Sequence, residues 1–555
     1  KSIPPQNREE IAGKFRESMP FDDAAKMREQ FDKPARSRKI KMWLTEEKKS
    51  EILKWWLPYA KKNKIARNAL FFIQDYKRSY PYGKLLGQVL QSVREDRDVH
   101  TNQAIPTGGL ELYFHNILSG KEGKRLVPRS PRHYLDEGEV LENPVHGADV
   151  YLTIDPTIQA IVEEELEVAI KRAVAKEGWA VMMDPNSGEI LALAHYPFFS
   201  PQEYRKFYSD PDLLEYTRVK AICDAFEPGS VIKPVTAAIL LLANQERKAQ
   251  GLPPLFDPDQ KMRSDDGHVR GRRKPISDIG YHKYLNLDMA MQKSANIYLV
   301  KNIDKVIQTF GNQWYRDKLT KIFGFSKKMG IEIPSEGRGM VPRIGKRYKS
   351  GALEWSVPTP YSLAIGYNFL ANALQMTHSY ATLANGGHAV KPTLIKKIVK
   401  DDNILYEHST ELGEQVLPPE IVHRVIQSMR FTTQTGGTAF RARIPGYSCV
   451  GKTSTSEKLV KGKYSKERHR SSFLGFAPMI NPRFVLMVVI DDPEYRYLPG
   501  LGRMHYGGKT AAPAFKEIGK KTLRYLGVTP DDPDNKLYAD EAKALTELYK
   551  QWNMK

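Results

Sequence analysis

The sequence predicts an α+β fold, in which one antiparallel sheet flanked by helices takes strands from two separated parts of the chain. Three observations predict it. From residue 150 a helical repeat runs into a strand-turn-strand pattern, and the middle of the chain then reads as helical. Near the end come three apolar strand-like runs and a closing helix. A single sheet built from both ends, with its faces buried under helices, satisfies all three.

In chain order, the first 65 residues are charged and helical in character. Residues 45–63, TEEKKSEILKWWLPYAKKN, open with a cap-like Thr45/Lys48 turn, and Trp55 and Trp56 read as packing residues. Residues 78–123 are looser, with RSYPYGK and GGLELYFHNILSGKEG, and basic, proline-containing sequence at 124–147 reads as a connector. Asp155 and Pro156 then supply an N-cap and a first-turn proline. Ile158, Ile161, Val162, Leu166, Ile170 and Val174 recur at helical spacing, with Gly178 expected to end the run. WAVMMD, PNSG and EILALAH follow as a hairpin. Downstream, YSCVGKTSTS, SSFLGFAP and RFVLMVVIDDP read as strands. Residues 510–526 form the last helix, with Ala511, Ala514, Phe515, Ile518 and Leu523 on its apolar face. The polar stretch between the first two of these strands carries Lys458, Lys461, Lys463, Lys466, Arg468 and Arg470 and reads as a solvated loop.

Composition narrows the function. A chain of 555 residues has the length of about three to four domains. At 41% hydrophobic and 27% charged, it can bury a sizeable core. No run of apolar residues is long enough to span a membrane. The chain opens at Lys1 with neither an initiator Met nor a signal-like segment, so upstream sequence is expected to have been removed. Cys223 and Cys449 cannot make a disulfide framework and read as small buried hydrophobes. The net charge of +20 would suit nucleic acid, an anionic membrane surface or an acidic substrate. Its basic residues are spread along the chain with no nucleic-acid motif, so no nucleic-acid partner is expected. The 13 histidines show no metal-ligand spacing, and no metal is expected.

The chemistry lies in three segments. AFEPGSVIKP places Ser230 after Pro-Gly at the start of an apolar helix, with Lys233 on the same face one turn later. QKSANIY gives Ser294 and Asn296, a Ser-x-Asn triplet 64 residues on. VGKTSTSE gives Lys452, Thr453, Ser454 and Thr455 on a strand, with Lys452 222 residues after Ser230. A serine hydroxyl needs a neighbouring base, and lysine serves once its charged form is disfavoured by a helix N-terminus and a second cation such as Lys452. Ser294 suits relay of a proton to a departing amine, and Asn296 suits holding substrate and the Lys233 side chain. Lys452, Thr453 and Thr455 suit a ligand carboxylate. The backbone N–H groups of Ser230 and Thr455 suit an oxyanion hole.

This trio, in this order and setting, resembles the Ser-x-x-Lys, Ser-Asp-Asn and Lys-Thr-Gly motifs of active-serine penicillin-recognising enzymes. Over residues 75–527 the chain resembles a class B penicillin-binding protein. Arg78, Tyr80 and Pro81, with Gly109, Glu111, Gly120 and Gly123, resemble the family's non-catalytic pedestal. Leu152 to Gln159 and Asp184 to Ala194 resemble the entry to its transpeptidase domain, and Ala364 to Gly387 and Tyr506 to Ile518 match it downstream. The resemblance implies an N-terminal pedestal at 1–148, a penicillin-recognising serine transpeptidase domain at 149–527 and a helical tail at 528–555. It implies a D,D-transpeptidase that cross-links peptidoglycan stem peptides, is acylated by β-lactams and uses no cofactor. Its setting would be the periplasmic side of the inner membrane, on an anchor outside this sequence. A membrane glycosyltransferase and divisome proteins would be its partners.

Asn296 and the YGGKTAAPAFKEI ending look closer to division enzymes than to elongation enzymes, which remain the alternative. A β-lactamase or carboxypeptidase fits less well, because a long pedestal precedes the catalytic part. A penicillin-binding sensor or an inactive scaffold on the same fold is the reading from another class. Before about residue 65 the chain shows no match to the family, which leaves a diverged pedestal or a partner-binding segment. One position departs from the family: Ser454 stands where the third motif has glycine. Strand alternation puts it on the face of Lys452, opposite Thr453 and Thr455, and it is expected to pack beside the sheet away from ligand.

Overall fold

The computed structural model describes residues 3–18, 39–73, 75–98, 103–126, 139–500 and 502–553. They form two compact units. The first comprises 1–81, 92–107 and 115–147, and the second 82–91, 108–114 and 148–555.

In the first unit, helices α1 (Pro5–Ser18) and α2 (Glu46–Lys62) share an apolar core of Ile11, Phe15, Ile52, Trp56, Tyr59, Ala60 and Ile65. Thr45 caps α2 by accepting the Lys48 N–H, as its sequence predicts. Trp56 is buried in that core and Trp55 packs against it, so both tryptophans are packing residues.

In the second unit, β1 (Asp149–Leu152) leads into α3 (Pro156–Ala173). Asp155 Oδ1 accepts the N–H groups of Thr157 and Ile158 and caps α3. The helix ends at Val174 in left-handed backbone, four residues before the expected stop. Gly178 instead lies inside β2 (Glu177–Met183), where a Cβ would meet Ile170 and the Val489 carbonyl. Close packing of helix on sheet, rather than helix termination, explains that glycine. Strand β3 (Ile190–Tyr196) completes the expected hairpin.

The helical middle contains α4 (Lys233–Ala249), α5 (Leu287–Lys293), α6 (Ile297–Asp317) and α7 (Ala373–Ala384). Strands β4 (Ile395–Lys400) and β5 (Asn403–Glu407) pair with β1 in a small sheet, and α8 (Pro419–Thr433) follows. Then come β6 (Val450–Val460), β7 (Lys463–Ala477), β8 (Phe484–Asp491), α9 (Ala511–Tyr525) and α10 (Ala539–Asn553). The main sheet is antiparallel throughout, in the order β6-β7-β8-β2-β3, and so joins strands from both ends as expected.

Helices α3 and α9 pack on the face that carries Ala180, Met182, Leu486, Val488 and Ile490. Helix α7, buried along its whole length, packs against β2, β7 and β8 outside that cluster, so the sheet is covered on both sides. This explains why β2 and β8 are buried at every position. Strand β6 lies at the sheet edge, where its backbone is open to a neighbour.

The basic stretch at 458–470 is not a loop. It forms the outer ends of β6 and β7, joined by a two-residue turn at Lys461 (φ 50°) and Gly462 (φ 78°). Three of its charges are paired with the end of β8 and the residue after it, Lys458 with Asp491 and Asp492, Arg470 with Asp491, and Arg468 with Asp492. Cys449 is buried as expected, whereas Cys223 is half-buried with Sγ 3.0 Å from Ser335 Oγ. Among the described residues no helix is long and apolar enough to cross a membrane.

Candidate active site

Three stretches of the second unit meet beside β6. The first carries Ser230. Phe226 pairs through both backbone groups with Ala371, and the Gly229 N–H donates to the Gly366 carbonyl at 3.0 Å, which ties down the turn. Gly229 has φ +61°, a conformation that side chains avoid, and a Cβ there would lie 2.4 Å from Ser454 Oγ. One 3-10 turn, Gly229–Ile232, brings Ser230 to the N-terminal end of α4, which begins at Lys233. Pro234 sits in the first turn of α4, where a missing N–H leaves no partner unsatisfied.

The second stretch is the junction of α5 and α6. Ser294 closes α5 in left-handed backbone, φ 60° and ψ 39°. That turn aims three acceptors at one amine. Lys233 Nζ donates to the Ser294 carbonyl at 2.5 Å, to Ser294 Oγ at 3.1 Å and to Asn296 Oδ1 at 2.7 Å. Asn296 is itself held. Its backbone N–H donates to Asp278 Oδ1, and its Nδ2 donates to the Ser277 carbonyl at 2.8 Å.

The third stretch is β6. Lys452 Nζ donates to Ser294 Oγ at 2.7 Å and to the Thr453 carbonyl at 3.3 Å. The Ser294 hydroxyl therefore bridges two lysines, both completely buried. Burial pushes the Lys233 amine down to about 7, against the pull of the Asp278 carboxylate. Burial, reinforced by the Lys233 charge, pushes Lys452 down as well. On the other side of the strand, Thr453 Oγ1 donates to Thr438 Oγ1 at 3.0 Å, and Thr455 Oγ1 accepts the Gly507 N–H at 3.0 Å.

Ser454 shares the face of Lys452, as alternation requires, but it does not pack away from the site. Its Oγ accepts the backbone N–H of Ser230 at 3.0 Å. The reason is geometric: that face of β6 is the one the Ser230 turn lies against, and the bare Gly229 leaves room for a hydroxymethyl group.

All eight residues singled out in the sequence thus lie on elements that meet here. A base one turn from a hydroxyl, a hydroxyl shared between two amines and an edge strand that carries two threonine hydroxyls form a set suited to acyl transfer. Among the described residues no group of three or more His, Cys, Asp or Glu side chains could hold a metal ion.

Residues 178–520, well over half of the chain, match the penicillin binding protein transpeptidase domain. The chain belongs to that family. It is similar to a protein of Pseudomonas aeruginosa named probable peptidoglycan D,D-transpeptidase PbpC, with 29% identity over 461 residues that cover 83% of this chain and 72% of that protein. To the peptidoglycan D,D-transpeptidase FtsI of Buchnera aphidicola it is 29% identical over 463 residues, 83% of this chain and 72% of FtsI. Its fold resembles the crystal structure of penicillin binding protein 3 from Mycobacterium tuberculosis with aztreonam, at a TM-score of 0.66 and 26% identity, covering 83% of this chain and 92% of that one.

Set within the penicillin-binding family, the site contains groups that motif reading did not single out. Asp278, Thr438 and Gly507 each contact a motif residue. Gly507 lies in the YGGKTAAPAFKEI segment that already carried the family resemblance, whereas Asp278, in a polar loop, had no local signal. Tyr464, near the tip of the β6–β7 hairpin, donates to Glu227 Oε1 at 2.9 Å, so the hairpin reaches the segment just before Ser230.

Proposed function

We propose that the chain is a peptidoglycan D,D-transpeptidase that works through an acyl-enzyme on Ser230 in septal cell-wall synthesis. The observation that carries this reading is the Ser294 hydroxyl bridging Lys233, one turn from Ser230, to Lys452 on the edge strand. The likeness to FtsI and PbpC supports the substrate, and FtsI supports the septal setting. Residues 1–148 serve as the pedestal, 149–527 as the catalytic domain and 528–555 as the tail. The protein works on the periplasmic side of an inner-membrane anchor, beside a membrane glycosyltransferase and divisome proteins.

In the first half-reaction, neutral Lys233 takes the proton of Ser230 Oγ as that oxygen attacks the carbonyl of the penultimate D-Ala. The N–H groups of Ser230 and Thr455 receive the oxyanion, and Thr453, Thr455 and Lys452 receive the terminal carboxylate. When the tetrahedral intermediate collapses, the peptide C–N bond breaks. The departing amine takes a proton from Ser294 Oγ, which is resupplied through Lys233 or Lys452. In the second half-reaction an acceptor amine attacks the Ser230 ester, and the serine regains its proton. A β-lactam follows the first half-reaction with ring opening in place of departure. Asn296 holds Lys233 and the donor backbone.

Incubation with a D-Ala-D-Ala-terminated stem peptide and a second peptide bearing a free amine tests this reading. The expected result is D-Ala release with a joined product, both absent in Ser230→Ala. Release without any joined product, or rapid turnover of a β-lactam, contradicts transpeptidation.

A further inference from the structure

The Ser230 N–H is one of the two donors proposed for the oxyanion, and it is already engaged. Ser454 Oγ accepts it at 3.0 Å, and Ser454 is only 3% exposed. The hydroxyl is wedged where a Cβ on Gly229 would stand 2.4 Å from it, so the turn and the strand are in close contact at this point. A glycine at 454 would leave the same N–H open to solvent, whose water an incoming carbonyl displaces readily.

We infer that the Ser454 side chain is a latch on the oxyanion hole: its hydroxyl occupies the Ser230 N–H in the resting enzyme and must swing away before an acyl donor's carbonyl can take that place. This rests on the acyl-enzyme reading above. An oxyanion donor contributes only if it reaches the oxygen on which charge develops. The incoming carbonyl therefore competes with an intramolecular acceptor for one N–H, and the penalty is that of one neutral hydrogen bond. It is the same for every acyl donor, because each must place its carbonyl oxygen in the same hole. Ser454 thereby sets the intrinsic reactivity of the enzyme rather than its selection among side chains. Crowding by the Ser454 Cβ would instead discriminate by the size of the acyl group.

The test compares wild type, Ser454→Ala and Ser454→Gly. Second-order acylation rates are measured for benzylpenicillin, which is compact, and piperacillin, which is bulky. Affinity for an acylaminomethyl boronic acid, whose tetrahedral Ser230 adduct places an oxygen in the hole, is measured in parallel. Ser454→Ala keeps the Cβ and removes only the acceptor, and thermal melts show that each variant is folded. The latch predicts that Ser454→Ala and Ser454→Gly both gain about threefold to tenfold with both β-lactams. Boronate binding tightens by a similar factor, which a purely structural change would not produce. Wild-type or slower acylation in folded Ser454→Ala overturns the latch, as does a gain confined to Ser454→Gly with piperacillin. If wild type takes no label on Ser230 at all, the acyl-enzyme reading fails and the latch falls with it.

Discussion

Ser294 holds a hydroxyl between two buried amines, and that arrangement limits how many protons the site can carry. Two ammonium groups sharing one acceptor in a dry environment repel strongly, so the pair sheds a proton far more easily than two surface lysines do. Lys233, pushed down to about 7 by burial, is a base available at neutral pH. The sign follows directly: protonated Lys233 cannot accept the Ser230 proton, so activity is lost as pH falls through about 7. Acylation by benzylpenicillin is expected to rise about tenfold per pH unit below that value and to level off above it. Stopped-flow rates across that range check this, and a flat profile from acid to mildly alkaline pH would require another base. Ser230, Lys233, Ser294, Asn296 and Lys452 were legible in the sequence because each belongs to a short motif whose chemistry constrains its spacing. Asp278 and Thr438 were not, because only tertiary folding brings them to Asn296 and Thr453. The side of β6 that bears Ser454 was legible from alternation. What it touches was not, because that depends on how closely the Ser230 turn approaches the strand.

At the scale of elements, the β6–β7 hairpin was hidden by its charges. Lys458, Arg468 and Arg470 interrupt any apolar alternation, and their partners Asp491, the last residue of β8, and Asp492, just after it, are beyond reach of a local reading. Gly178 misled for a related reason, since its close contact is with another strand and a helix. The capped start of α3 and the β2–β3 hairpin were legible because caps, turns and apolar runs are local signals. The segment after β8 is held by stacked rings. His505 lies 4.4 Å from His469 and 4.6 Å from Tyr495 between ring centroids, with Tyr506 at its edge. Burial, with His469 and Arg503 nearby, pushes His505 down to about 4, and burial lowers His469 as well. Opened, the His505 ring returns to its ordinary value near 6.5, so the stability of the closed form is whole above 6.5 and is lost as pH falls toward 4. Hydrogen exchange over 493–500 and 502–506, corrected for intrinsic rates, is expected to accelerate across that window, and His505→Phe is expected to flatten the response. Protection that stays constant from pH 6.5 to pH 4 in wild type would contradict this account of the segment.

At the scale of the whole chain, the second unit's sheet joins β2 and β3 to strands that follow more than 250 residues later, so its core forms only when both parts are present. Phe515 on α9 shows how that core is closed. It is fully buried, with its ring centroid 4.6 Å from Phe473 on β7 and 6.0 Å from Phe484 on β8. Phe515→Ala is expected to cost about 3–5 kcal/mol in urea unfolding. A loss below about 1 kcal/mol would mean that α9 contributes little to closing the sheet. The α+β class and the sharing of one sheet by both ends were legible from element order alone, because an antiparallel sheet flanked by helices is the economical way to bury those apolar runs. The extents of the first unit were not, since residues 82–91 and 108–114 group with the second. Everything proposed for the site turns on one oxygen atom, Ser230 Oγ. Mass spectrometry of the intact protein after exposure to benzylpenicillin, followed by peptide mapping, tests it most directly. A single adduct with the mass of the whole β-lactam is expected, located on the peptide containing Ser230 and absent in Ser230→Ala. An adduct on another residue, or one that persists in folded Ser230→Ala, would contradict it.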